Sequence, residues 1–315
     1  MEINKVYQGD SAELMKQLPD NFIDLTITSP PYDNLRDYNG YSFDFETIAK
    51  ELFRITKEGG VVVWVVGDAT INGSETGSSF RQALFFKEIG FNLHDTMIYA
   101  CNKPPLTHKR YEQSFEYMFV LVKGKIKTFN PIMKKNKYAG QNCLRNGDWA
   151  SGKDNSAMRQ RDGKKMIKEF GITNNLWYYE TGGNKTTKDK IAFQHPAIFP
   201  EQLAKDHIIS WSNKGDLVFD PFAGSGTTLK MAMLNDRNYL GFEISAEYCD
   251  LINKRIGSNL SGFIRTKSSN EDFPNGEHNI ILKDNSNELS QISSNDETSL
   301  NNNIQRNLRG LLQSN

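Results

Sequence analysis

The sequence predicts an α/β protein with a Rossmann-like, doubly wound, mostly parallel sheet, and three observations carry that prediction. Short apolar runs alternate with segments of helical spacing as far as residue 256, the pattern of strands joined by crossover helices. One strand-like run, residues 25–28, stops at Ser29-Pro30-Pro31-Tyr32. A second, residues 216–220, passes into Ala223-Gly224-Ser225-Gly226 and then into a helix-like segment.

Taken in chain order, Asp10 fits the N-cap of a helix over 12–18, because its short carboxylate can accept from free backbone N–H groups. A strand follows at 25–28, a helix at 45–56 and a strand at 61–66. Then come a helix at 80–89 and strands at 96–101 and 117–122. The last third reads as helix 200–211, strand 217–219, helix 227–234, strand 239–242 and helix 247–256. Core packing accounts for most of these runs. The Ser-Pro-Pro-Tyr stretch is different. Both prolines lack a donor and have φ fixed at about −65°, so they continue neither a helix nor a central ladder. They also press Ser29 towards an extended backbone. A chain that stiffens at a strand end and presents a hydroxyl and an aromatic ring is built to hold something.

Composition narrows the classes. The 315 residues carry 38 Lys plus Arg and 38 Asp plus Glu, so whole-chain charge does not point to nucleic acid. No run approaches the length of a membrane span, and no basic region followed by an apolar core opens the chain; a cytoplasmic protein without a membrane partner is expected. Cys101, Cys143 and Cys249 are scattered, without CxxC spacing, which argues for a reducing compartment and against a metal site or disulfide frame. Charge is uneven along the chain: residues 123–168 hold 13 Lys or Arg against three Asp, with Tyr138 and Trp149 interleaved. That stretch is either a solvated loop or a basic arm for phosphate contacts. Residues 257–315 are rich in Ser and Asn and read as a weakly ordered tail, with a short helix expected at 304–312.

The glycine turn narrows the chemistry. Gly224 and Gly226 let the backbone turn tightly and approach a ligand, and Thr227 and Thr228 sit where the helix begins and free N–H groups face the turn. Glu243 ends the next strand, placed to accept from ribose hydroxyls. Strand, glycine turn, helix, strand and acid together bind adenosine-containing cofactors. Leu229 breaks the GxGxxG pattern of dinucleotide sites, and no GxxxxGK[ST] holds a triphosphate.

At these residues a resemblance appears. TSPPY (28–32) and DPFAGSGTT (220–228) resemble the catalytic and cofactor motifs of S-adenosylmethionine-dependent DNA amino-methyltransferases. Residues 195–208, HPAIFPEQLAKDHI, resemble the segment that closes over the cofactor; 7–25 resemble the approach to the catalytic strand, and 114–124 the strand before the target-recognition region. Catalytic motif first and cofactor motif last is the order of the family's permuted β group. The resemblance implies S-adenosyl-L-methionine as cofactor, no metal, and double-stranded DNA as substrate. It implies a catalytic half over 1–122, a basic recognition region over 123–190, a cofactor half over 191–256 and the tail over 257–315. Ser29 and the Pro30 carbonyl would accept the two protons of the target amine, Pro31 would stiffen the loop, and Tyr32 would stack on a flipped base. Cofactor contacts would come from Asp10, Phe199, Glu201, Asp220, Phe222, Gly224, Ser225, Gly226, Thr227, Thr228 and Glu243, while His195 fits a structural role equally well.

Serine at position 29 is commoner among family members that modify cytosine, so N4-methylcytosine is the expected product and N6-methyladenine the alternative. Methylation at cytosine carbon-5 is excluded, since no Pro-Cys dipeptide supplies its nucleophile. An RNA or protein-glutamine methyltransferase and a non-catalytic binding module are the remaining rivals. The motif order and the basic stretch weigh against the first two, and the intact motifs against the last. A cognate restriction endonuclease is a partner usual for the family, and a monomer or a homodimer fits the chain.

Overall fold

The computed structural model describes residues 1–31, 43–102, 110–141, 149–151, 158–160, 166–182 and 185–268. Tyr32, Cys143 and the segment 304–312 lie outside these. Residues Met1–Arg265 form one unit; Thr266–Asn315 cluster separately, and only the end of a helix is described there.

The chain runs β1 (Lys5–Gln8), α1 (Ser11–Met15), β2 (Ile23–Thr28), α2 (Phe45–Ile55) and β3 (Thr56–Val66). A hairpin of β4 (Thr70–Ile71) and β5 (Ser74–Glu75) leads to α3 (Ser78–Glu88), β6 (Phe91–Ala100) and β7 (Phe115–Lys123). Next come the short strands β8 (Met133–Lys135), β9 (Trp149–Ser151), β10 (Met158–Gln160), β11 (Phe170–Ile172) and β12 (Leu176–Tyr178). A 3-10 turn (Lys190–Gln194) precedes α4 (Glu201–Trp211), β13 (Leu217–Asp220), α5 (Thr227–Leu234), β14 (Asn238–Glu243) and α6 (Ala246–Ser268).

Eight strands form one sheet in the order β1-β14-β13-β2-β3-β7-β6-β12, and β7 alone among them runs antiparallel to its neighbours. The apolar run of β3 shows why this sheet needs helices on both faces. Val61, Val63 and Val65 join a core with Leu203, Ile208, Leu229 and Ile252 of α4, α5 and α6. Val62, Trp64 and Val66 point the other way, into a core with Met15, Leu52 and Phe86 of α1, α2 and α3. Strand side chains alternate with period two, so an unbroken apolar run is the mark of a strand buried on both sides.

The elements predicted as far as residue 256 are present, with differences at their ends. β1 was not predicted: four residues, K-V-Y-Q, carry too little pattern to separate from a loop. β12 was not predicted either, and through it the 123–190 region supplies the edge strand of the main sheet, paired in parallel with β6. β6 begins at Phe91 rather than 96, its first half alternating between buried and solvent-facing positions. α1 stops at Met15, short of residue 18, and α6 continues to Ser268, past the predicted end at 256. Among the described residues no helix is long and apolar enough to cross a membrane.

Candidate active site

The strand order creates a crevice. From β13 the chain passes through α5 to β14 on one side; from β2 it passes through α2 to β3 on the other. Between β13 and β2 the winding reverses, and the crevice outside the carboxyl ends of two such strands is where open α/β sheets bind ligands. Ser29-Pro30-Pro31 leaves β2 there, and Asp220-Pro221-Phe222 leaves β13 beside it. Ser29 and Pro31 are half-buried and Pro30 is buried.

A side-chain bond closes the two loops on each other. Thr28 Oγ1 donates to Asp220 Oδ1 at 2.7 Å, and the same oxygen accepts from the Phe222 N–H at 3.0 Å. Thr228 Oγ1, in the first turn of α5, donates to the Ile27 carbonyl at 3.2 Å. Burial pushes the Asp220 carboxyl up to about 6, against the pull of the bonds it accepts from Thr28 and the Phe222 N–H. The end of β2 and the glycine turn are therefore tied into one frame.

The turn itself is anchored to β14. The Ala223 N–H donates to the Phe242 carbonyl at 2.9 Å, and the Gly226 N–H to the Ala223 carbonyl at 2.6 Å. Gly224 (φ 52°) and Gly226 (φ 77°) are left-handed, and a Cβ on Gly226 would lie 2.9 Å from Ile252. Glu243 Oε2 accepts from the Gly224 N–H at 2.8 Å and Oε1 from the Ser245 N–H at 2.9 Å. Burial raises its carboxyl, and these backbone donors offset part of that. Each oxygen retains a second lone pair for a hydroxyl donor. β1 brings Asp10 alongside: the Gly9 N–H donates to the Glu243 carbonyl at 3.0 Å, and Ser11 Oγ donates to the Pro221 carbonyl. Asp10 Oδ1 caps α1, accepting from the N–H groups of Ala12 (2.8 Å) and Glu13 (3.2 Å).

The segment after residue 185 packs under the turn. His195 lies with its ring 3.1 Å from where a Gly224 Cβ would be, edge-on to Tyr248 at 4.5 Å between centroids. Glu201 Oε1 accepts from Thr187 Oγ1 (2.7 Å), Lys230 Nζ (2.7 Å) and Arg255 Nη2 (3.0 Å). Asp189 Oδ2 meets Arg255 Nε at 2.9 Å and Lys230 Nζ at 3.4 Å. Burial works to raise the Asp189 carboxyl, but Arg255 and Lys230 outweigh it and hold it low.

A family profile described as DNA methylase, of the N6/N4 methyltransferase type, matches residues 23–254. The chain belongs to this family. The orphan methyltransferase M.BamHII of Bacillus amyloliquefaciens is 59% identical over 254 residues, spanning 77% of this chain and 92% of that relative. The type II methyltransferase M.BglII of Bacillus subtilis is 26% identical over 282 residues, spanning 87% and 72%. In fold, the chain is similar to the PvuII DNA methyltransferase (cytosine-N4-specific), with TM-score 0.57 and 20% identity over 81% of this chain and 90% of that one. It is also similar to a DNA modification methylase of Thermus thermophilus solved with S-adenosyl-L-methionine (TM-score 0.55, 24% identity, 82% and 95% coverage).

In this DNA methylase the motif residues come together at the carboxyl ends of β1, β14, β13 and β2: Ser29 to Pro31, Asp10, Gly224 to Thr228 and Glu243. Phe222 turns to the other side of its loop, edge-on to Phe43 at 5.5 Å and near Trp64 at 6.5 Å. Phe199 is half-buried against the core. Glu201 Oε1 accepts from Thr187, Lys230 and Arg255 within the protein. Lys123 departs from expectation: its ammonium donates to the Phe53 carbonyl at 2.7 Å and to Asn21 Oδ1 at 3.0 Å, so it is tied into the fold rather than part of a free basic arm. Lys230, Arg255, Asp189 and Tyr248 were missed by sequence reasoning. The only available signal was a charged residue inside an apolar helical pattern, which at Lys230 interrupts T-T-L-K-M-A-M-L.

Proposed function

We propose that this DNA methylase transfers a methyl group from S-adenosyl-L-methionine to the exocyclic amine of cytosine in duplex DNA, forming N4-methylcytosine. One observation carries the methyl-transfer reading: the 2.7 Å bond from Thr28 to Asp220, which ties the strand end before Ser29-Pro30 to the strand entering the glycine turn; the choice of cytosine rests on the serine at position 29. The residues present fit such a cofactor. Glu243 offers carboxylate lone pairs for ribose hydroxyls, Asp10 follows Gly9, whose N–H is bonded to the Glu243 carbonyl, and the N–H groups of Thr227 and Thr228 open α5 just past the glycine turn. Bound there, S-adenosyl-L-methionine supplies an electrophilic methyl on a sulfonium sulfur.

The remaining work falls to the chain. A paired base hides its amine in the stack, so the nucleotide has to be turned out, losing a few kcal/mol of stacking and pairing. Tyr32, which lies outside the described residues, is assigned to the flipped base, where ring stacking recovers about 1–3 kcal/mol. Ser29 Oγ and the Pro30 carbonyl accept hydrogen bonds from the two amine N–H groups, which turns the nitrogen lone pair towards the methyl, and one of those protons passes to solvent once the nitrogen is methylated. Pro31 keeps that carbonyl out of a ladder. Holding reactants at about 3–3.5 Å supplies much of the acceleration. The basic 123–168 stretch is assigned to phosphate contacts, and protection of the modified sequence from an endonuclease is the use we assign to the product.

The decisive test is mass spectrometry of nucleosides digested from DNA incubated with the protein and methyl-labelled cofactor. Label in N4-methylcytosine is the expected outcome. Label in N6-methyladenine would keep the amine chemistry and overturn the choice of base, whereas no label in DNA would overturn the reading.

A further inference from the structure

We propose that Arg255, on α6 and outside the motifs, is a positioning residue for cofactor binding; the inference rests on the function proposed above. The glycine turn has a mobility problem. Two left-handed glycines give it shape, but glycine adopts other conformations at little cost, so the sequence of the turn alone does not hold it. The Ser225–Gly226 peptide is the one that leads into α5, and both of its ends are held. Its N–H donates to the Ala223 carbonyl at 2.6 Å, and its carbonyl accepts from Arg255 Nη1. The N–H groups that begin α5 follow directly from that peptide plane.

The guanidinium is itself fixed from two sides, by Asp189 Oδ2 on Nε at 2.9 Å and Glu201 Oε1 on Nη2 at 3.0 Å. Lys230 bridges the same two carboxylates at 3.4 and 2.7 Å, so two anions and two cations balance. The Arg255 side chain has no exposed surface and that of Lys230 is 8% exposed. A planar fork with donors in three directions suits three acceptors in three directions; an ammonium is a single point of charge. The cluster also joins the segment leaving the recognition region, through Thr187 and Asp189, to the underside of the turn.

Arg255→Lys keeps the charge and loses the fork. In the full-length protein, the Kd for S-adenosyl-L-methionine by calorimetry and its KM should rise about 10-fold, the loss of one charge-assisted bond. At saturating cofactor kcat should change less than about twofold, and the Kd for duplex DNA by fluorescence anisotropy likewise. Asp189→Asn, which leaves Arg255 bonded to Ser225 but loosely held, should raise the cofactor Kd by about threefold and decides the matter if Arg255→Lys does not fold. A lower unfolding temperature with cofactor Kd and KM unchanged would make the cluster a structural brace and overturn the inference. If the unmodified protein binds no cofactor, the functional reading falls and this inference with it; if it binds and both variants bind equally well, only this inference falls.

Discussion

Ser29 follows a strand whose last residue is bonded to Asp220, so a change at position 29 leaves that frame intact. Ser29→Ala should therefore bind S-adenosyl-L-methionine as tightly as the parent in calorimetry while losing on the order of 100-fold in kcat, the size of effect seen when one group that stabilises a transition state is removed. Undiminished turnover would take Ser29 out of the mechanism. At this scale the sequence was most legible where motif residues are contiguous. Ser29 to Tyr32 and Asp220 to Thr228 announce themselves because prolines and glycines dictate backbone shape locally. Asp189 and Arg255, 66 positions apart, do not, because an ion pair leaves no mark on either residue's neighbours and each reads as a surface charge.

Among the elements, the basic stretch is where structure changes the expectation most. β7 ends with Lys123 beside the last turn of α2, at the opposite end of the strands from Ser29. The chain returns along β12, which Asn102 and Thr181 stitch to the end of β6 through a 2.7 Å bond from the Thr181 N–H to Asn102 Oδ1. Between them, β8 and β11 pair as an antiparallel ribbon, with Lys134, Lys135 and Lys137 exposed on or beside it. Replacing these three with Gln should weaken binding to duplex DNA of any sequence. It should also flatten the slope of log K against log salt by about 2.7, since each of the three phosphate contacts contributes about 0.9. Equal slopes for parent and variant would make the ribbon a solvated surface. Strands of three residues such as β8, β11 and β12 were beyond sequence reasoning, because alternation needs more positions than they provide; β3 was not, because residues 61–66 form one apolar run, nor was α2, whose buried face repeats over eleven residues.

Over the whole molecule, two buried groups pull stability in opposite directions with pH. His207 is wholly enclosed, its Nδ1 accepting from Trp211 Nε1 at 3.1 Å, and burial drives the imidazole down to about 3 from 6.5. The unfolded chain then binds the extra proton, so the His207 contribution is full above pH 6.5 and is lost as pH falls towards 3. Asp220 is shifted the other way, from 3.8 to about 6, so its contribution is full below 3.8 and is lost as pH rises through about 6. Urea unfolding of the parent and of His207→Gln at pH 7.5 and 5 separates the two. The parent should lose about 2 kcal/mol more than the variant on acidification. An equal loss in both proteins would remove His207 from the acid response.

The bond between Thr28 and Asp220 spans 192 positions, and β1 finds its partner only in β14. During synthesis the opening strand therefore waits for residues near position 240 before it has a neighbour, and β2 waits for β13 on one flank. The nascent chain carries apolar strand edges in the open for most of its time on the ribosome. Fragments severed in the stretch between β12 and α4 would each be inert, yet each would bring half of the interlocking strands, so activity restored on mixing them would come from a sheet zipped together out of two chains.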